Sequence, residues 1–266
     1  MSTEIKIVNS AKERKELGMK RYGVAEYEGS LHREFIMLRG SGCGWSRCTF
    51  CDYCVDKDNN SQENYKLNKA VLSKVTGKHK CLQVVSSGSF SELDFQSIAK
   101  LQDVVKEKGI EHLVLETHTM YESQLSNIRS LFPGVHVAFI IGAETFDVEL
   151  RRKLNKGHGD RTVEDFAKHY QWTNILFGFE EENGMERLAK DVALAMEHFE
   201  RFTICVFCNN DTHVKRDPKL VDEFYNSDLF KFLTTDADAK FVCEIMDDCD
   251  TRAFHDMGGV GGVDNE

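Results

Sequence analysis

Apolar residues in this chain gather into short runs separated by amphipathic stretches. Glu34 to Leu38, Cys81 to Val85, His112 to Leu115, Val135 to Ile141, Ile175 to Phe179 and Phe202 to Phe207 each read as a strand buried on both faces, because polar residues do not alternate through them. The intervening segments carry helical spacing: Leu67 to Val75 stopping at Gly77, Asp94 to Lys106 ending at Gly109, and Glu122 to Leu131 closed by Pro133-Gly134. Further helices are predicted over Asp147 to Leu154, Val163 to Trp172 and Met185 to Phe199. The polar run Asp56 to Glu63 reads as an exposed loop. Six strands alternating with helices predict an α/β fold with a parallel sheet, and six units are too few for an eight-unit barrel.

With 266 residues, the chain suits one sizeable domain. It has no apolar stretch of about 18 residues, so no membrane span is expected. Met1 to Ala11 lacks the apolar run of a secretory signal. Nine cysteines in a non-secreted chain then point to a reducing, cytoplasmic setting and a metal centre rather than disulfides. The net charge of −10 argues against a protein that tracks nucleic-acid phosphates. Basic residues nevertheless collect early, from Lys6 to Arg47; they form either a solvated face of a helix over Ala11 to Lys20 or a contact for a small-molecule phosphate. The glycine-rich tail, Gly258 to Gly262, is flexible by composition or folds over a site.

The densest chemistry is the loop after the first strand, where Gly40-Ser41-Gly42 leads into Cys43, Cys48, Cys51 and Cys54. Short steps of this kind return each sulfur to one side of a turn. Three thiolates (Cys43, Cys48 and Cys51) suit a 4Fe–4S cluster with one iron left open for a ligand, whereas all four suit a structural zinc. Two later strand ends are also polar. The second strand ends in Ser86-Ser87-Gly88-Ser89-Phe90, where glycine lets a ligand approach the backbone. The fourth runs into Gly142-Ala143-Glu144-Thr145, then Arg151, Arg152 and Asn155-Lys156-Gly157. A carboxylate at a strand end can bond hydroxyls or an ammonium, and an arginine in the next helix can reach a carboxylate. Alone, each is also consistent with a capped turn or a surface ion pair.

Together these residues resemble the radical S-adenosylmethionine (radical SAM) superfamily. The cysteines follow its first-strand motif, with Phe50 before the last cysteine, although the first gap is C-x4-C where the usual one is C-x3-C. Ser87-Gly88-Ser89-Phe90 and the Gly-x-Glu-Thr … Asn-Lys-Gly stretch are similar to those of members acting in 7-deazaguanine tRNA chemistry, and the resemblance spans about residues 34–157. It implies a partial (β/α)6 TIM-type barrel over 31–215, flanked by an N-terminal extension (1–30) and a C-terminal extension (216–266) packed on the barrel. Chemistry is then expected at the C-terminal strand ends.

The resemblance also implies the cofactors. The cluster, held by Cys43, Cys48 and Cys51, binds SAM and cleaves it to methionine and a 5′-deoxyadenosyl radical, which takes hydrogen from a substrate C–H bond. Phe50, Ser87, Gly88, Ser89, Glu144, Arg151 and Arg152 are the SAM candidates. Asp52, Tyr53, Glu116, His118, Asn209 and Asn210 are the substrate candidates, within a polar rim that includes Thr117, Glu180, Asp211 and His213. An external donor such as flavodoxin or ferredoxin supplies the electron. A short acidic chain fits a nucleoside or nucleotide better than intact tRNA. The implied reaction is that of a salvage-type lyase releasing queuine from queuosine 5′-phosphate. A tRNA-modifying enzyme of the same superfamily is the alternative, and a zinc-binding interaction module the alternative of another class. Cys205 and Cys208, as C-x2-C, read as ordinary cysteines around a strand end; Cys243 and Cys249 supply further ligands only on paper.

Overall fold

The computed structural model of the chain describes residues 11–27 and 29–249. One sheet holds eight strands in chain order: β1 (Tyr22–Ala25), β2 (Arg33–Leu38), β3 (Cys81–Ser86), β4 (His112–Thr117), β5 (His136–Glu144), β6 (Trp172–Phe177), β7 (Arg201–Val206) and β8 (Cys243–Met246). β1 is antiparallel to β2, and every later pair is parallel. Sequential pairing without closure makes a curled half-barrel, the partial barrel expected.

Helices cover its outer face. α1 (Ala11–Leu17) precedes the sheet, α2 (Ser61–Leu72) and α3 (Phe95–Lys108) follow β2 and β3, and α4 (Leu125–Ser130) follows β4. Next come α5 (Val148–Lys153) and α6 (Val163–Ala167), then α7 (Gly184–His198) after β6. The last crossover holds α8 (Pro218–Tyr225), α9 (Asp228–Thr235) and α10 (Ala237–Val242). Local chemistry sets the ends: the Asp94 side chain accepts from Ser97 N at the start of α3, and Gly109 ends it in the left-handed region at φ 61°. Among the described residues, no helix is long and apolar enough to cross a membrane.

Each strand has two different faces. Ile36, Leu82, Leu115, Phe139, Ile175 and Ile204 point outward into the main core beneath the helices. The alternate positions point into the barrel, and Arg33, Gln83, Glu116, Asn174, Thr203 and Glu244 line its cavity. Near the N-terminal strand ends this interior is closed by a buried ion network. Arg33 Nε donates to Gln83 Oε1 (2.8 Å), Arg33 Nη1 to Glu244 Oε1 (2.7 Å), and Arg201 Nη2 to the same oxygen (3.1 Å).

Two departures from the sequence reading have local causes. The helix expected over Val163 to Trp172 stops at Ala167, and β6 starts at Trp172 rather than Ile175. Gln171 draws the chain into the sheet: its N–H donates to Phe139 O, and its Oε1 accepts from Phe139 N, both at 3.1 Å. The polar run of 56–63 is partly helical, because Asn60 caps α2 by accepting from Gln62 N. Strands β1 and β8 lie outside 31–215, yet both extend the sheet. The glycine tail lies outside the described residues.

Candidate active site

A cavity of about 250 Å³ begins beneath the cysteine loop and runs into the barrel as far as the Arg33–Glu244 floor. Cys43, Cys48 and Cys51 all line it. Cys54 does not; it lies in the 3-10 turn Tyr53–Val55. The loop is clamped by the segment after α5. Thr49 N donates to Leu154 O (3.0 Å), Asn155 Nδ2 to Arg47 O (2.9 Å), and Trp45 Nε1 to Asn155 O (2.7 Å). Phe50 packs with Leu154, Leu176, Phe179 and Phe207. At Gly157, where φ is 80°, a Cβ would lie 2.4 Å from the Trp45 ring, so only glycine admits the indole there.

The donor set fits an iron–sulfur cluster better than one zinc ion. Four thiolates at about 2.3 Å from a single zinc would lie within about 4 Å of each other. Among the described residues, the group of ligand-type side chains gathered within 4.8 Å of one another is Cys208, Asp247 and Cys249, not the loop cysteines. A cluster spreads its thiolates over separate irons. Burial raises the Cys48 thiol to about 11 and the Cys51 thiol to about 12, although Lys156 pulls the other way. Ionising these sulfurs therefore requires a bound cation. On the facing turn, a Cβ on Gly88 would meet Glu92 Oε2 at 2.0 Å and Cys43 Cα at 2.9 Å, so backbone alone fits beside the first cysteine.

Of the cofactor candidates, Phe50, Ser87, Gly88, Ser89 and Glu144 line the cavity. Ser87 Oγ donates to Asp56 Oδ2 (2.6 Å), Gly88 N to Ser86 Oγ (3.3 Å) and Ser89 N to Glu92 Oε2 (2.5 Å), which fixes the shape of this turn. Glu92 ties it to the cysteine loop, since Tyr121 Oη (2.8 Å) and Gly44 N both donate to its Oε1. Glu144 sits at a bulge with φ 65°, an uncommon conformation for a residue with a side chain. Lys156 Nζ donates to its Oε1 at 2.6 Å. Burial alone would lower the Lys156 ammonium, but Glu144 reverses this and holds it above its ordinary value.

The arginines lie elsewhere. Arg151 is buried, with Nη1 donating to Thr145 O (2.9 Å) and Nη2 to Gly159 O (3.3 Å), so it braces the loop after β5. Arg152 is on the surface with Glu149 and Asp160.

Tyr53, Glu116 and His118 line the cavity as substrate candidates. Burial raises the Glu116 carboxyl to about 7. The His118 ring is committed: Met120 N donates to Nδ1 (3.2 Å), so Nε2–H donates to Lys156 O (3.0 Å). Burial lowers its pKa to about 4, and the neutral ring stacks on Trp45 with centroids 6.0 Å apart. Asp52, Asn209 and Asn210 are outside the lining. Asp52 Oδ2 accepts from Ala11 N (2.8 Å), Asn209 Oδ1 accepts from Arg216 N (2.9 Å), and Asn210 Nδ2 donates to Phe50 O (2.8 Å). Thr117 also lines the cavity; Glu180, Asp211 and His213 do not.

The sequence reading missed Trp45, Lys156, Cys205 and the deeper Gln83, Asn174 and Thr203, all of which line the cavity. For Gln83 and Thr203 the signal was period-2 polarity inside strands, hidden by the apolar outward positions; Asn174 fell outside the predicted strand. The cysteines also depart from the expectation of a metal centre without disulfides. Cys208 and Cys249 form a disulfide with Cα atoms 6.1 Å apart. Beside it, Asp247 accepts from Arg216 Nη2 (2.7 Å) and Tyr225 Oη (2.9 Å). This group locks the chain after β8 to the loop after β7, while Cys243 is buried in the main core.

No protein-family model matches the chain, and no curated protein matches it. Solved structures do. A queuine lyase from Clostridium spiroforme, bound to SAM and queuine, is 30% identical, with a TM-score of 0.79 over 86% of this chain and 96% of that one. Streptococcus suis SuiB is 14% identical, with a TM-score of 0.53 over 79% of this chain and 49% of its own. SuiB bound to S-adenosylmethionine gives 14% and 0.52, over 89% and 53%. This chain spans about half the length of SuiB, and that likeness concerns the fold alone.

Proposed function

We infer the reaction from one premise: the chain belongs to the radical SAM superfamily and is an enzyme that uses SAM. We propose that it is a lyase acting on a 7-deazaguanine nucleotide, releasing queuine from queuosine 5′-phosphate. The observation that carries this is the likeness to a queuine lyase at 30% identity along nearly the full length of both chains.

Cys43, Cys48 and Cys51 would hold a 4Fe–4S cluster. When bound, the cluster and SAM supply one-electron cleavage to a 5′-deoxyadenosyl radical, which takes a hydrogen from the substrate ribose. The protein's part is positioning and exclusion of water. The backbone around Gly88, beside Cys43, would meet the amino-acid end of SAM. Glu144, oriented by Lys156, would accept from the SAM ribose hydroxyls or ammonium. His118 and Trp45 form a flat wall, and Glu116 accepts from adjacent N–H donors of the base. For the phosphate, Arg47 lies at the rim, 5.3 Å from the Trp45 ring centroid, whereas Arg21, Arg33 and Arg39 are committed to Asp56, Glu244 and Asn64.

The proposed setting is the cytoplasm, with a flavodoxin or ferredoxin as electron donor and a free nucleotide rather than intact tRNA as substrate. The test is an anaerobic assay with a reductant, SAM and queuosine 5′-phosphate. The proposal expects queuine and 5′-deoxyadenosine from the unsubstituted enzyme and neither from Cys48→Ala. Turnover of intact tRNA with none of the nucleotide would replace the lyase with a tRNA-modifying activity.

A further inference from the structure

Below the cysteines, the barrel interior carries polar groups that the assignments above give to neither cluster nor SAM. Closed (β/α)8 barrels fill their interior with branched apolar side chains; this open half-barrel does not. Here Gln83 on β3, Glu116 on β4, Asn174 on β6 and Thr203 on β7 all face the cavity. No hydrogen bond joins the Asn174 amide or the Thr203 hydroxyl to another described residue, although the two are register neighbours. Gln83 is 7% exposed, yet its amide nitrogen also has no described partner. These groups are open to the cavity rather than sealed among side chains, so a ligand or water within it can complete them.

The orientation of Gln83 follows from its one bond. A guanidinium can only donate, so the atom 2.8 Å from Arg33 Nε is the amide oxygen. Arg33 is itself fixed by Glu244, which Arg201 also bonds. The free end of Gln83 is therefore an N–H₂ donor held in one place. Glu116, one inward step further along the neighbouring strand, is an acceptor when ionised. A donor beside an acceptor complements an edge that offers C=O beside N–H. A 6-oxo purine-type base has that edge; a 6-amino base has the reverse and would set N–H₂ against N–H₂.

We propose that Gln83 is a specificity-determining residue: locked by Arg33 as the positioning residue, it donates to the 6-oxo group of the substrate base inside the barrel. Asn174 and Thr203 complete the same wall. This deepens the deazaguanine reading above and rests on it.

The test measures binding of 7-deazaguanine and 7-deazaadenine to the reconstituted holoenzyme with SAM and without reductant, by anaerobic calorimetry. The unsubstituted enzyme is expected to prefer 7-deazaguanine by at least tenfold, as sites built around a hydrogen bond do. Gln83→Met should weaken 7-deazaguanine at least tenfold while moving 7-deazaadenine and SAM less than threefold. Gln83→Glu, close in size and still able to meet Arg33, removes the donor and should give the same collapse of preference; unchanged SAM affinity shows that both variants are folded. Retention of the full preference by both variants overturns the role of Gln83, even where the enzyme turns over a deazaguanine nucleotide. An unsubstituted enzyme that binds neither base and turns over no deazaguanine nucleotide overturns the underlying reading as well.

Discussion

Glu144 and Lys156 give the sharpest quantitative test of how the site is built. Their charged atoms are 2.6 Å apart, and their side chains keep only 8% and 16% exposure. In Lys156→Met the Glu144 carboxylate stays buried without its partner. Breaking a buried pair from one side costs about 3–5 kcal/mol, and the remaining exposure of Lys156 puts the expected loss near 3 kcal/mol. Glu144→Gln strands the ammonium instead, with a similar penalty. The double variant removes both charges, so its loss should fall short of the sum by about 2 kcal/mol. The assay is urea unfolding of iron-free, reduced protein at pH 7, followed by the fluorescence of Trp45 and Trp172. A coupling energy below about 0.5 kcal/mol would mean that water already screens the pair, as at a surface. Lys156 would then not be what orients Glu144, and the assignment of Glu144 to SAM would lose its structural support.

Iron content after anaerobic reconstitution should vanish in Cys43→Ala, Cys48→Ala and Cys51→Ala and survive in Cys54→Ala; equal loss in the fourth variant would point to a four-thiolate site. Arg151→Met should destabilise the fold by about 2–4 kcal/mol through its buried, abandoned carbonyls, and Arg152→Ala by less than about 0.5 kcal/mol. Neither should change SAM affinity in calorimetry, because neither side chain reaches the cavity. Burial holds the Glu116 carboxyl up to about 7, so it is protonated below that pH and a full acceptor above it. Affinity for 7-deazaguanine should therefore rise from pH 6 to pH 8, and Glu116→Gln should flatten the profile.

Much of this architecture was legible because it rests on repeated local signals. Six apolar runs between helical stretches gave the parallel sheet, and three cysteines after the first run marked its mouth. The edges were not legible: Tyr22–Ala25 and Cys243–Met246 are four residues each, too short to stand out from their polar surroundings. In the site, Glu116, Glu144 and the Ser87-Gly88-Ser89 turn were readable as polar residues at strand ends. Asn174 was not, because setting the fifth predicted strand to begin at Ile175 left it outside. Arg151 misled for a different reason: its spacing allowed a reach toward SAM, but backbone carbonyls of the folded loop claim its guanidinium, and nothing in the sequence announces that contact.

The division of each strand into an outward apolar face and an inward polar one bears on how such an enzyme acquires new substrates. Stability is carried mainly by the layer beneath the helices, where truncation of a residue such as Phe139 or Ile175 costs several kcal/mol. The Asn174 amide and the Thr203 hydroxyl hydrogen-bond no other described residue, so exchanging these side chains leaves no described partner abandoned. Ligand preference can therefore drift through single substitutions on the inward face while the scaffold stays above its folding threshold. The exception is Gln83, tied to Arg33 and through it to Glu244 and Arg201: a residue there that cannot accept from Arg33 Nε leaves one buried donor unpaired, so drift at this position carries a stability cost that drift at Asn174 or Thr203 does not.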